Sequence, residues 1–186
     1  MFEALHGVPL SCRIAHHNAQ GMGITLGESA GGYVRGGEHY LPLAGGVLAS
    51  PDMPAPLSAY AVLNPPARAP WELVVNTDGR RFVREDHPSI HHIEVAVGRQ
   101  PGETHWAVFD AEILGQAPPL LKEWSRERIR EAADDHPMIF RAESLGELAE
   151  ATGLAPAPLT GTVDTYNRAL AAGTPDPLGR EHRPLP

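Results

Sequence analysis

Proline distribution is the feature that most restricts how this chain can fold. Seven prolines lie between residues 42 and 70, at Pro42, Pro51, Pro54, Pro56, Pro65, Pro66 and Pro70. Proline has no backbone N–H, and it disfavours the helical conformation of the residue before it, so this stretch excludes long helices and central strands. We therefore expect a long ordered connection with one or two short strands, of the kind that often carries functional residues.

Composition limits the classes of function. The chain has 186 residues, 42% hydrophobic and 20% charged, which is typical of one globular domain or slightly more. Its formal net charge of -8 argues against a nucleic-acid partner. No apolar run approaches the ~20 residues of a membrane span, and no secretory signal is recognisable. Cys12 is the single cysteine, so we expect a reducing, cytoplasmic compartment.

The segment WELVVNTDGRRFVRED, residues 71–86, predicts a β-hairpin. Residues 72–75 and 81–84 would be its strands, and Asp78-Gly79 is a strong turn dipeptide. The next segment, HPSIHHIEVAVGRQ, fits a short helix in which Pro88 occupies the first turn. THWAVFDAEIL then predicts a buried strand that leads into a helix at Asp110.

Three further helices are indicated towards the C-terminus. Ser125 is a good N-cap, Ser144 and Glu147 form a capping box, and Tyr166 lies on the apolar face of the last helix. Strands and helices do not alternate as they do in a doubly wound sheet. The fold class that we predict is α+β, with a small mixed or antiparallel sheet and helices.

Histidines are frequent, and one pair has a spacing that metal sites use. His87 and His91 are four residues apart, which would place both on one face of a helix. The glutamate of an H-E-x-x-H motif is absent, because Pro88, Ser89 and Ile90 lie between them. We favour ordinary surface or loop histidines over a metal site.

The glycines Gly21, Gly23 and Gly27 permit close approach of the backbone to a neighbour. Tight packing is the interpretation that we favour, with contact to a phosphate or a flat ring as the alternative. A charge cluster surrounds the predicted hairpin and consists of Arg68, Glu72, Arg80, Arg81, Arg84, Glu85 and Asp86. On a hairpin such charges are usually solvated, and the alternative is recognition of a carboxylate or keto substrate by arginine.

Four segments resemble a known family. LVVNTDGRRFVRED is similar to the VN-x-x-G-x-RF-x-x-E pattern of FAD-dependent oxidoreductases of the fumarate reductase and succinate dehydrogenase flavoprotein family, through Asn76, Gly79, Arg81, Phe82 and Glu85. TVDTYNRALAAGTPDPLGR resembles the helix and tail of that family, through Thr162, Val163, Tyr166, Asn167, Gly173, Asp176, Gly179 and Arg180. GMGITLGESAGG resembles the helix that leads out of the flavin domain, and HWAVFDAEIL the strand after the hairpin.

The resemblance implies an architecture. In that family a capping domain is inserted in a split Rossmann-like flavin domain and closes over the flavin. Residues 1–40 would be the outgoing fragment of the FAD-binding domain, and residues 41–186 the capping domain that completes the substrate pocket. The FAD would be held mainly by regions that are missing from this chain, so its partners would be the rest of the flavin domain and a small-molecule substrate.

The resemblance also implies a function, namely part of a flavin-dependent dehydrogenase or reductase that acts on a C–C bond beside a carbonyl or carboxylate. The chain alone is expected to be inactive. The alternative is a non-catalytic interaction module, or an inactive fragment, derived from such a cap. Leu41-Pro42-Leu43 stands where fumarate reductases have HPT, and Ser89 stands where they have a proton-donating arginine.

Candidate site residues follow from this resemblance and from the chemistry of the side chains. Arg68 matches an arginine of the family's proton-relay region, and Tyr40 and His87 are further catalytic candidates because tyrosine and histidine can both transfer protons. His39, Leu41, Leu43 and His91 are the substrate-binding candidates, and the two leucines suggest a substrate less polar than a dicarboxylate. Gly21 and Gly23 are the cofactor-binding candidates. No metal ligand is predicted.

Overall fold

The computed structural model describes residues 20–37 and 39–182, together with residues 3, 6, 7, 10, 12 and 18. Their regular elements, in chain order, are α1 Met22–Ser29, β1 Gly46–Leu48, β2 Leu57–Tyr60, β3 Leu73–Asn76, α2 Ile90–Val97, β4 His105–Val108, α3 Ala111–Gln116, α4 Arg126–Asp135, α5 Leu145–Thr152 and α6 Pro156–Ala171. A 3-10 turn, Pro101–Glu103, joins α2 to β4. The proline-rich connection holds only the short strands β1 and β2, as predicted.

The strands form two separate antiparallel pairs, so the α+β class is confirmed. In the first pair β1 lies beside β2, with an irregularity between Val47 and Leu48. In the second pair β3 lies beside β4, with Leu73 opposite Val108 and Asn76 opposite His105. Strand β4 comes from the segment THWAVFDAEIL, which was predicted to form a buried strand.

The predicted hairpin is wrong in its second strand. Residues 81–84 form no strand, and Arg81 makes only an isolated bridge to Val75. The turn itself is present, since the Gly79 N–H donates to the Asn76 carbonyl at 3.0 Å. Further along, the Val74 N–H donates to the Glu85 carboxylate at 3.2 Å. A side chain thus occupies the place of a partner strand's carbonyl at the outer edge of β3.

The helix starts agree with the local sequence signals. Asp110, Ser125 and Ser144 each accept a hydrogen bond from a backbone N–H in the first turn, at 2.8, 3.2 and 3.2 Å. The Glu147 carboxylate accepts from the Glu143 N–H at 3.1 Å, one residue before the expected capping-box partner. α2 begins after Ser89, so His87 lies outside the helix, and its expected placement on one helical face with His91 is wrong.

Buried apolar side chains form two clusters that share the strand β3. Val74 belongs to the first cluster, with Ile93 of α2 and Ile129 of α4. Val75 belongs to the second, with Ala149, Leu154 and Leu159 from α5, α6 and the residues between them. Successive side chains of a strand point to opposite faces, so β3 contributes to both clusters and joins them.

Helix α1 has no buried residue. Met22 is 78% exposed and Leu26 is 71% exposed. A Cβ added at Gly21 or Gly23 would meet no atom within 4 Å, so the tight packing that we favoured for these glycines is not found within the described part of the chain. None of the helices described has the length and apolar character needed to cross a membrane.

Candidate functional site

Two of the four segments that resemble the flavoprotein family meet in one buried ionic network. Arg81 donates to both oxygens of Glu85 at 2.8 and 2.6 Å, and to Asp176 at 2.6 Å. Burial alone would raise the pKa of Asp176, but the hydrogen bonds from Arg81 and from backbone N–H groups lower it below its ordinary value. The carboxylate is therefore held in its ionised form.

Arg180 completes this network from the C-terminal tail. Its guanidinium donates to the carbonyls of Pro70 and Glu72, each at 2.7 Å. The Tyr166 ring lies close to two cations, with its centroid 5.0 Å from the Arg81 guanidinium carbon and 5.4 Å from that of Arg180. We name Glu72, Arg81, Glu85, Tyr166, Asp176 and Arg180 the Arg81–Arg180 network.

The network corrects the expectation of a solvated charge cluster. The side chains of Arg81, Glu85 and Asp176 are 7%, 1% and 1% exposed. Two arginines of the cluster do reach solvent: Arg80 is exposed, and Arg84, whose side chain is 28% exposed, pairs with Asp86 at 2.8 Å. The geometry attaches the tail after α6 to the turn after β3, so the matched residues hold the fold together.

Arg68 lies in the interior, not on an open surface. One of its terminal nitrogens is 3.0 and 2.9 Å from the two carboxylate oxygens of Glu72, and its Nε donates to the Pro118 carbonyl at 2.9 Å. The residue is 7% exposed. Its charge is thus fully paired within the fold.

The segment 39–43 lies beside the end of α2. The Tyr40 hydroxyl donates to the Glu103 carboxylate, which, with burial, raises the pKa of Tyr40 to about 12. Pro42 lies 3.4 Å from where a Cβ at Gly98 would be. His39 and Leu41 are exposed, and Leu43 is partly buried.

The histidine candidates lie near the other end of α2. His87 stacks on His92, with ring centroids 4.1 Å apart and planes inclined by 18°, and His91 lies 2.7 Å from Glu94. The helical rise between His91 and Gly98 is ~10 Å, so these histidines are separated from the segment 39–43. In the described residues there is no group of three His, Cys, Asp or Glu side chains suited to a metal ion.

Ser58 and His136 form a pair that has the composition, but not the geometry, of a catalytic dyad. His136 Nε2 lies 2.8 Å from the Ser58 hydroxyl, which donates to the Val47 carbonyl at 3.2 Å. The Met138 N–H donates to His136 Nδ1 at 3.1 Å, so a neutral ring carries its proton on Nε2. His136 then donates to Ser58 and cannot act as its base.

An apolar cavity of about 260 Å³ lies between the two core clusters. Leu43 is the one predicted site residue among the described residues that line it, and Glu103, the partner of Tyr40, lines it as well. His105 at the start of β4 also faces this cavity, and burial lowers the pKa of His105 to about 4. Its side chain retains part of its accessible surface, because the cavity is not fully closed.

Sequence comparison finds relatives among fumarate reductases and 3-oxosteroid dehydrogenases. The chain is 29% identical over 113 residues to the probable fumarate reductase Ifc3 of Shewanella frigidimarina, which covers 61% of this chain and 17% of that protein. It is 29% and 31% identical over 126 residues to the 3-oxosteroid 1-dehydrogenases of Mycolicibacterium smegmatis and Mycobacterium tuberculosis, covering 60% of this chain and 21% of each. This chain is a relative of these fumarate reductase and 3-oxosteroid dehydrogenase flavoproteins. No family model matches it.

The fold agrees with that relationship. The open conformation of a flavocytochrome c3 fumarate reductase superposes with a TM-score of 0.61 at 19% identity, over 99% of this chain and 29% of that one. In the sequence comparisons, the chain spans about a fifth of the length of the curated relatives that it matches.

The fit of these residues to a flavin is partial. The backbone at Gly21 and Gly23 is open to a ligand, since no atom lies within 4 Å of a Cβ at either position. The residues described provide this open edge and no enclosed cradle for a dinucleotide.

Sequence reasoning missed the cavity and the Arg81–Arg180 network. Arg81, Glu85 and Asp176 were found as matches to a pattern, but their mutual contact joins residues 95 apart and has no local signal. For the cavity, the polar run Glu103-Thr104-His105 at the start of an otherwise apolar strand was the available sign.

Proposed function

We propose that this chain is the capping part, with the outgoing edge, of a flavin-dependent oxidoreductase that acts on a C–C bond beside a carbonyl or carboxylate. The division at residue 40 is part of this proposal. The observation that carries it is the Arg81–Arg180 network, because the residues that match the flavoprotein patterns meet there in one buried unit. The relatives, all of them oxidoreductases, support the same function.

FAD, when bound, supplies hydride exchange with the substrate carbon. The chain's own part is to orient the substrate and to exclude water from it. Leu41 and Leu43 give the cap an apolar wall, which favours a substrate less polar than a dicarboxylate. Tyr40 keeps its proton at neutral pH, since its pKa is about 12, and acts there as a hydrogen-bond donor to Glu103.

Arg68 and His87 remain the proposed proton-transfer residues, and His39 and His91 the proposed polar contacts to substrate. The contacts with Glu72 and the Pro118 carbonyl fix the position of the Arg68 side chain, which suits a positioning or relay role rather than a mobile one. Gly21 and Gly23 are proposed as the backbone edge that approaches FAD. The single Cys12 supports a reducing, cytoplasmic location.

The test is to purify the full-length gene product that contains this chain and to record its visible spectrum. We expect a yellow protein whose flavin is bleached by a reductant and reoxidised by an unsaturated ketone or acid. An inactive but yellow protein would retain the flavoprotein assignment and remove the proposed substrate class. A colourless protein that does not regain flavin on incubation with FAD would contradict the proposal.

A second candidate, an interaction module without redox activity, is favoured by one observation. Met22 and Leu26 of α1 are exposed apolar side chains, and apolar surface of this kind favours association. The same spectrum separates the two functions, because the interaction module predicts no flavin at all.

A further inference from the structure

The cavity between the two core clusters is a cleft that is partly open to solvent. Ligand sites in proteins are commonly concave and mostly apolar, with a few polar groups at defined positions. This cavity has about 260 Å³, and most of the described residues that line it are apolar, including Leu63, Trp106, Phe109, Ile139 and Phe140. An apolar cleft of this size is suited to an apolar occupant, because burial of apolar ligand surface against apolar walls is favourable.

The strand β4 is presented to the cavity by its edge. Residues 105–109 all line it without interruption, whereas a strand seen from one face would contribute alternate residues. The Val74 N–H donates to Glu85 and the Asn76 N–H donates to the Arg80 carbonyl, so both point away from β4.

This pattern fixes the direction of the backbone groups on the opposite strand. Val74 is opposite Ala107, and Asn76 is opposite His105. In an antiparallel ladder such non-hydrogen-bonded pairs direct the N–H and C=O groups of both residues outwards. The backbone groups of His105 and Ala107 therefore point to the free edge of β4, and no described residue bonds to them. These N–H and C=O groups can therefore form hydrogen bonds with a ligand at the border of the apolar space.

Charge at the border selects the type of ligand. Glu103 lines the cavity as the acceptor of the Tyr40 hydroxyl, and the chain as a whole carries a formal charge of -8. An anionic ligand would have to enter beside this carboxylate without a described cation to pair with it in the lining. A neutral hydroxyl or carbonyl group can instead bond to the backbone of β4.

We infer that this cavity binds a neutral two-ring compound that carries one hydroxyl or carbonyl group. Its volume corresponds to roughly ten non-hydrogen atoms, by comparison with benzene in a cavity of about 150 Å³. The rings fill the space lined by Trp106, Phe109 and Phe140, and the polar group bonds to the backbone of His105 or Ala107. Binding requires no flavin, so the inference stands independently of the proposed redox function.

The test is calorimetric titration of the 186-residue chain with 2-naphthol at neutral pH, with 2-naphthoate as the anionic control of the same ring system. We expect saturable 1:1 binding of 2-naphthol, and binding of 2-naphthoate at least ~10-fold weaker because a buried, unpaired carboxylate is costly. In Glu103→Gln the disadvantage of 2-naphthoate should shrink. Absence of binding of 2-naphthol to the folded chain would overturn the inference, and so would equal affinity for the two compounds.

Replacement of two different alanines by leucine locates the site. Ala107→Leu fills the cavity from β4 and should abolish binding of 2-naphthol, whereas Ala111→Leu, the same change at an exposed position of α3, should leave the affinity unchanged. Circular dichroism establishes that each variant is folded. If Ala107→Leu does not fold, Ile139→Phe serves the same purpose from the opposite wall. Unchanged binding in a folded cavity-filling variant would overturn the location.

Discussion

The Arg81 guanidinium lies 2.6 Å from the Asp176 carboxylate, although the two residues are 95 positions apart in sequence. Asp176 also accepts hydrogen bonds from the N–H groups of Leu178 and Arg180, at 2.9 and 3.2 Å. One buried carboxylate thus shapes the C-terminal tail and attaches it to the turn after β3.

Asp176→Ala should lower the free energy of unfolding by ~3 kcal/mol, because it removes one partner of a buried ion pair and leaves Arg81 with Glu85 alone. Urea denaturation followed by circular dichroism measures the change. The matched control is Asp134→Ala. Asp134 lies 2.8 Å from Arg141, but both side chains are exposed, at 66% and 59%.

For that exposed pair we expect a loss of less than ~1 kcal/mol, as is usual for surface salt bridges. Asp176→Asn should fall between the two, since the amide oxygen still accepts from the backbone N–H groups while the charge is lost. Equal destabilisation by Asp176→Ala and Asp134→Ala would contradict a structural role of the network.

Gly79 is a second position where the fold depends on one residue. Its φ is +73°, and an added Cβ would lie 2.9 Å from the Leu159 backbone nitrogen in α6. Gly153 has a similar φ of +74°, with no atom within 4 Å of an added Cβ. Gly153→Ala should therefore cost ~1 kcal/mol from backbone strain, and Gly79→Ala ~3 kcal/mol from strain together with the steric contact.

Thermal unfolding of both variants beside the wild type measures this difference. Because the two glycines share their backbone conformation, the excess loss in Gly79→Ala reports the contact with α6. A loss no greater than that of Gly153→Ala would show that the turn and α6 are not packed together as described.

The hydrogen bond between Tyr40 and Glu103 has a spectroscopic consequence. Glu103→Gln removes the carboxylate that raises the pKa of Tyr40, so this pKa should fall from about 12 towards the ordinary 10.0. Near-ultraviolet absorbance of tyrosinate, recorded as a function of pH, measures the change, and Tyr40→Phe identifies the signal. Glu150→Gln, at an exposed position of α5, should leave the titration as it is in the wild type.

The parts of the fold that could be predicted from sequence are those determined by near neighbours. Asp110, Ser125 and Ser144 cap helices through bonds to residues three positions on, and this spacing is visible in the chain itself. The pairing of β3 with β4 could not be read in this way. Its partner strand is some thirty residues away, and Glu85 occupies the nearer edge of β3 with a side chain.

The candidate site shows the same division. Tyr40 is a candidate because tyrosine can transfer protons, and Leu43 because it stands in the segment that corresponds to HPT; the structure places Tyr40 beside Glu103 and Leu43 at the cavity. Burial of Arg68 against Glu72 was not foreseen, because it depends on the carbonyl of Pro118, which comes from a distant segment. Contacts between distant segments determine which charged side chains are buried in ion pairs.

Arg68 requires a test that separates catalysis from stability. In the complete enzyme, Arg68→Ala should slow turnover well beyond any change in flavin content. It should also destabilise the protein, because Glu72 would remain as a buried charge without its partner. In the double variant Arg68→Met with Glu72→Met both charges are gone, and stability should largely return.

Turnover of the double variant then gives the answer. If it stays low while stability and flavin content are restored, the Arg68–Glu72 pair has a role in the reaction beyond stability. Wild-type turnover in the double variant would restrict Arg68 to a structural role and remove it from the proposed mechanism.

His105 makes stability depend on pH in a defined window. Burial in the apolar cavity lowers the pKa of its imidazole from 6.5 to about 4, so between these values the unfolded chain binds a proton that the folded chain does not. Stability should accordingly fall as the pH is lowered from 6.5 to 4. Because the side chain retains some contact with solvent, we expect a contribution of ~2 kcal/mol, less than the full shift implies.

Urea denaturation of the wild type and of His105→Leu at pH values across this window measures this contribution, and the variant should lose less stability on acidification. Parallel curves for the two proteins would show that the imidazole remains hydrated and that the cavity is not a desolvating environment. His92, His136 and His182 also have lowered pKa values from burial and are present in both proteins, so their contributions cancel in the comparison.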